Sequence, residues 1–192
     1  MRTTIRYFLI ALVMLAAVTA FAQFPIPSEA GLNYNYVHSN APPAGCGCFT
    51  MQGASGWAAF DFVHNFALVG EIGMERGANI LGSSKDLMLV SYTAGPRYTW
   101  HRQSRFTPFG QALIGGAHAS GSYAPAENGL AGSNSFVMII GGGVNVALTK
   151  RFTLQALQAD YYLTHFSNGT NNHQNNLRLG IGFSVSMGAN RR

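Results

Sequence analysis

The feature that most constrains this chain is an alternation of apolar and polar side chains with a period of two, sustained over unusually long stretches. From Val90, the even positions Val90, Tyr92, Ala94, Pro96, Tyr98 and Trp100 are apolar, and the odd positions from Ser91 to His101 are polar or small. From Leu177 the parity is reversed: Leu177, Leu179, Ile181, Phe183, Val185 and Met187 oppose Arg178, Gly180, Gly182, Ser184 and Ser186. A third run opposes Phe136, Met138, Ile140, Val144, Val146 and Leu148 to glycines, Asn145 and Ala147. Successive side chains of a strand point to opposite faces, so this period is that of a β-strand with two unlike faces. Each run reaches about ten residues, longer than the five or six usual in soluble sheets and long enough to cross a bilayer at a tilt.

Eight such segments are expected, over residues 31–38, 55–63, 66–76, 86–100, 105–118, 136–148, 152–165 and 176–187. Tight links join the second to the third, the fourth to the fifth and the sixth to the seventh. The other connections are longer and rich in Gly, Asn, Ser and Pro. Short turns at one end and long loops at the other describe an all-β, eight-stranded antiparallel up-and-down transmembrane β-barrel. In that layout both termini are periplasmic and the long loops extracellular, in the outer membrane of a Gram-negative cell. Two segments are irregular. Phe109 and Leu113 share a parity with Gln111, and Gln155 is in phase with Leu157 and Tyr161, which a bulge near Ala156, or Gln155 sitting at the headgroup level, would reconcile.

Composition decides between a membrane barrel and a soluble one. Charged residues make up 10% of the chain, against about 25% in soluble domains. A soluble barrel of lipocalin type turns its apolar residues inward and needs a charged outside. Here the polar face is Gly, Ser, Thr and Asn, and the basic residues gather in turns: Arg102, Arg105, Lys150, Arg151 and the tail Arg191-Arg192. At the inner leaflet these would meet anionic phospholipid headgroups. Outside the N-terminus no apolar run is long enough for a membrane helix. Arg2 and Arg6, the apolar stretch 7–18 and Ala20-Phe21-Ala22 read as a signal peptide over residues 1–22, leaving a barrel domain over 23–192. The full chain has a formal charge of +5, and losing Arg2 and Arg6 with the leader leaves +3, too weak in a secreted chain to argue for nucleic-acid binding.

Five charges fall on the polar parity of their strands: Asp61, Glu71, Arg97, Asp160 and Arg178. They are expected to face the narrow lumen, with Arg97 and Arg178 bridging the three acids in an ion-pair network that plugs it. A narrow porin-like channel is the alternative, since ionisable groups inside a membrane often mark a path. Aromatic residues near segment ends, among them Tyr34, Trp57, Trp100, Phe106, Phe109, Tyr161 and Phe166, are expected to form interfacial girdles. Cys46 and Cys48 in the first long connection permit a strained, labile disulfide. The six histidines show no metal-binding spacing, so neither a metal nor another cofactor is expected.

The leader, the eight segments, GPRYTW followed by TPFGQALIGGAH, and the tail QADYYLTHFSNGTNNHQNNLRLGIGFSVSM together resemble the small outer-membrane β-barrel family typified by the OmpA transmembrane domain. The resemblance implies a monomeric, non-enzymatic barrel with a structural or surface-interaction role. Its partners would be lipopolysaccharide, phospholipid and the outer-membrane assembly machinery. His165-Phe166-Ser167-Asn168 is also similar to the H-x-S-N motif of outer-membrane lipid A deacylases, which implies an alternative esterase using His165 and Ser167. That reading lacks the acid that orients the imidazole, because residues 168–192 contain no Asp or Glu.

Overall fold

The computed structural model describes residues 28–40, 48–100, 104–124, 126–127, 130–166 and 172–187. The leader (1–22), Cys46, the basic residues Arg102, Arg191 and Arg192, and Ser167 all lie outside them. Eight long strands are present: β1 (Glu29–Asn40), β2 (Cys48–Val63), β3 (Phe66–Gly77), β4 (Leu87–Thr99), β5 (Phe106–Ser120), β6 (Ser133–Ala147), β7 (Phe152–Thr164) and β8 (Gln174–Ser186). Each pairs antiparallel with its sequence neighbours, and β1 pairs with β8 from Glu29↔Ser186 to His38↔Leu177, which closes the sheet into a barrel. A two-stranded ribbon, Ala126–Glu127 with Leu130–Ala131, sits in the β5–β6 connection. Among the described residues no helix is long and apolar enough to cross a membrane; the strands do the crossing.

The eight segments expected from alternation coincide with the eight barrel strands. The largest difference is β2, which begins at Cys48 rather than at residue 55. Its first half, FTMQGAS, lacks a clean apolar parity, so local pattern does not announce a strand. Pairing on both sides makes it one, since Asn40↔Cys48 and Gln52↔Arg76 extend the ladders on its two flanks. The expected bulge in β7 is found. Leu157 pairs with Val144 while Gln155 pairs with Asn145, so Ala156 and Leu157 both face outward and Gln155 and Gln158 both face in.

The outer wall carries Leu32, Ile72, Tyr92, Ile114, Phe136, Leu177 and Ile181, all exposed. An apolar outside is stable only against hydrocarbon, and a closed ring leaves no unpaired backbone for lipid to meet. Polar partners appear where that wall nears the long connections: Tyr34 donates to Gln52 Oε1 at 2.7 Å, and Tyr161 to Asn175 Oδ1 at 2.5 Å. The interior differs from a filling of glycine and small polar groups. Toward the long-connection end Phe49, Met51, Leu89 and Ala119 are buried, and Ile80 and Phe166 from the connections join them. Tyr123 packs edge-on against Phe49, with ring centroids 5.7 Å apart. These side chains are excluded from water by one another, which is why inward apolar residues are stable at this level.

Candidate functional site in the barrel lumen

The middle of the lumen is polar and almost completely buried. Arg178 on β8 and Asp160 on β7 are neighbours in register, and each is 1% exposed. Arg178 donates to Asp160 Oδ2 from Nε at 3.0 Å and from Nη2 at 2.8 Å. Its Nη1 reaches across to Glu71 Oε1 on β3 at 2.5 Å. One guanidinium thus joins carboxylates from two strands that are not neighbours. Its face lies 5.6 Å from the centre of the Tyr162 ring.

Amides saturate Asp160. Gln158 Nε2 donates to Oδ2 at 2.6 Å, and Gln111 Nε2 reaches Oδ1 at 3.4 Å. Gln158 Oε1 in turn accepts from Asn33 Nδ2 at 3.1 Å and from Gln155. The β7 bulge makes this possible, because it places both glutamines on the inner face. Gly141 on the adjacent strand leaves room for the carboxylate: a Cβ there would lie 2.3 Å from both Ala159 O and Asp160 Oδ1.

Arg97 plays a different part from the one expected of it. Instead of bridging acids, it donates twice to Gln111 Oε1, from Nε at 3.0 Å and Nη2 at 2.7 Å. Its guanidinium lies over the rings of Trp57 (4.3 Å) and Phe109 (4.6 Å). Gln111 therefore relays between Arg97 and Asp160. Trp57 and Phe109 are correspondingly interior, 4% and 3% exposed, and Phe166 is buried too. None of the three belongs to an interfacial girdle. Their parity placed Trp57 with Ser55 and Phe109 with Gln111, a stronger signal than their aromatic character.

Asp61 also departs from expectation. It keeps the inward parity of β2 but is exposed, at the short-turn end beside the irregular register between Asp61 and Val63. The parity continues past the level at which a barrel wall covers it. Two interior acids went unnoticed in the sequence. Glu75, two inward steps beyond Glu71, is 0% exposed and accepts from Asn35 Nδ2 at 3.2 Å. Glu29 accepts from Ser184 Oγ at 2.5 Å.

Outside the lumen, His165 is exposed with its ring 5.5 Å from that of His173, and its backbone N–H donates to Ser135 Oγ at 2.7 Å. Cys48 is disulfide-bonded. Arg105, Lys150 and Arg151 are exposed at the short-turn end. Near the end of β3 Arg76 Nη2 donates to Asp86 Oδ2 in the β3–β4 connection at 2.9 Å, and that hydrogen bond holds the Asp86 carboxyl below its ordinary range. Among the described residues no three His, Cys, Asp or Glu side chains gather to hold a metal.

Comparison with known proteins agrees with this architecture. Among solved structures, Neisserial surface protein A superposes with a TM-score of 0.60 at 18% identity, covering 83% of this chain and 96% of its own. The attachment invasion locus protein Ail of Yersinia pestis gives a TM-score of 0.50 at 18% identity, covering 83% and 99%. No curated protein sequence matches. The model of the outer membrane protein β-barrel domain matches residues 8–184. By that match over most of its length, and with eight antiparallel strands closed into a ring, the chain belongs to the outer membrane protein β-barrel domain family.

Proposed function

We propose that this protein is a non-enzymatic outer-membrane barrel with a structural or surface-contacting role, its lumen closed by its own side chains. The observation that carries this reading is the Arg178 guanidinium spanning the interior between Asp160 and Glu71, with all three residues at most 2% exposed. The apolar cap of Phe49, Ile80 and Phe166 supports it at the long-connection end. An eight-stranded barrel is narrow enough for side chains to fill it. The role is then played by the outer wall, which meets lipopolysaccharide and phospholipid, and by the long connections, turned to the cell exterior. The short turns and both termini face the periplasm, where Arg105, Lys150 and Arg151 meet anionic headgroups. The barrel is monomeric, is inserted by the outer-membrane assembly machinery, and starts at Gln23 after removal of residues 1–22.

Planar-bilayer recording tests the closed lumen. No unitary conductance is expected from the wild type or from Arg97→Ala. Discrete channel steps from the wild type would favour the porin-like reading instead. Protease added to whole cells should cut in the long connections and spare the short turns. N-terminal sequencing of the mature protein should begin at Gln23.

A further inference from the structure

The outer wall is not evenly covered. Where glycines face outward on β5, a neighbouring aromatic side chain lies over them. A Cβ at Gly110 would stand 3.2 Å from the Trp100 ring, and one at Gly116 would stand 2.6 Å from the Tyr92 hydroxyl. Gly70 on β3 has no such cover: a Cβ there would meet no heavy atom within 4 Å. Its partners in register are both alanines, Ala58 on β2 and Ala94 on β4. These three small residues floor an open groove of about 870 Å³, edged by Ile72, Tyr92 and Ile114. The edge side chains stand well out from the wall, at 67%, 56% and 60% exposed.

The groove has a definite depth. At the short-turn end of the same strands Phe66, Tyr98 and Trp100 form a ladder of edge-on rings, each centroid 4.8 Å from the next. Asn65 Nδ2 donates to the Tyr98 hydroxyl at 3.3 Å. Outward aromatic rings of this kind mark the interface level of a barrel. Gly70 lies four residues beyond Phe66, about 13 Å further along the strand and so inside the apolar band. It lies seven residues from the other end of β3, which puts the groove in the leaflet at the short-turn end.

Shape decides what fills it. Another barrel presents a convex wall, and the protruding Ile72, Tyr92 and Ile114 hold such a wall off the floor. In a bilayer the drive to fill a groove is van der Waals packing, because lipid tails are as apolar as the wall. A flexible hydrocarbon chain can follow the floor where a rigid convex surface cannot. Barrel strands are tilted by about 35–45°, so a row across them runs obliquely through the leaflet, as a lipid tail does.

We propose that the groove over Gly70 holds one acyl chain of a phospholipid, with its headgroup end at the ladder of Phe66, Tyr98 and Trp100. The choice of phospholipid over lipopolysaccharide rests on the orientation proposed above, with the short turns in the periplasm. The groove itself requires only that the wall face lipid, and it is independent of whether the lumen conducts.

The test folds the mature protein into vesicles of phosphatidylethanolamine and phosphatidylglycerol. They are doped with a phosphatidylethanolamine that carries a photoactivatable diazirine midway along one acyl chain. After illumination, labelled peptides are mapped by mass spectrometry. Label on β2–β4 should exceed label at the same depth on β6–β8 several-fold. Gly70→Leu, which fills the groove and points away from the lumen, should bring the two sides level while heat-modifiable gel migration stays unchanged. If Gly70→Leu does not fold, Ala94→Leu takes its place. Equal labelling of the two sides in the wild type would overturn the proposal, as would an enrichment that survives the filled groove. Label on β2–β4 that is scarce and rises as the protein is diluted in lipid would put a second barrel there, and would overturn it too. These vesicles carry the same lipids in both leaflets. Failure therefore counts against the groove and leaves the orientation to the protease experiment.

Discussion

Asp160 and Glu75 are both carboxylates inside the same barrel, and they are treated in opposite ways. Asp160 accepts from a guanidinium and two glutamines, so each of its oxygens has a partner. Glu75 accepts from one asparagine, and its second oxygen has none. The net around Asp160 pairs both oxygens of its carboxylate, although Gln155 Oε1 and the Tyr162 hydroxyl on the same strand are buried without a hydrogen bond, while the β3–β4 wall leaves one oxygen of each glutamate unpaired. Satisfied buried groups stiffen a fold, and unsatisfied ones are its weak points. Rigidity should therefore be concentrated on the Asp160 side, and any proton sensitivity on the Glu75 side.

The largest expected effect comes from breaking the closed side. Arg178→Ala leaves Glu71 and Asp160 buried without a cation and should cost about 3–5 kcal/mol, measured by urea unfolding in micelles. A loss under about 1 kcal/mol would mean that water already fills the lumen. Phe109→Ala removes an aromatic face from Arg97 and opens a cavity, at about 3 kcal/mol, while Glu75→Gln in the same assay should move stability far less. Equal losses for the two would erase the contrast between the walls. Gly141→Ala drives a methyl toward Asp160 Oδ1 and should cost about 1–3 kcal/mol, seen as a lowered urea midpoint with an unchanged slope.

The smallest effect lies outside the lumen, at the exposed Arg76–Asp86 pair. The Asp86 carboxyl is held low in the folded chain, so its contribution is present above the unfolded Asp range. It fades as pH falls through the lower folded value. The protection of residues 78–86 against hydrogen exchange, with the intrinsic rate at each pH divided out, should fall slightly on acidification below about pH 4, and Asp86→Asn should abolish that change. A response as large as that of the lumen variants would show that this connection is coupled to the core.

Much of this was legible from parity. The long alternations located all eight strands, and the phase slip at Gln155 pointed either to a bulge or to a glutamine at the headgroup level, of which the register shows the bulge. Parity also contained the interior positions of Trp57 and Glu75, which residue type obscured: an aromatic near a strand end looks interfacial, and Glu75 lies at the end of its run. The partners of each charge were not legible. Which guanidinium reaches Glu71 depends on how far the strands are staggered around the ring, a property of closure rather than of any single strand. The apolar cap was hidden because Ile80 and Phe166 sit in connections without periodicity.

The pairing of β1 with β8 has a consequence for how the molecule comes into being. The two strands whose union completes the ring are the first and the last of the eight, with Met187 N donating to Ser28 O at 2.9 Å. Until β8 is in place, two strand edges remain open, and hydrocarbon offers neither of them a hydrogen bond. A seven-stranded intermediate therefore has nowhere to rest in a bilayer. Entry into the membrane and completion of the ring become one event, timed by the last strand to be made.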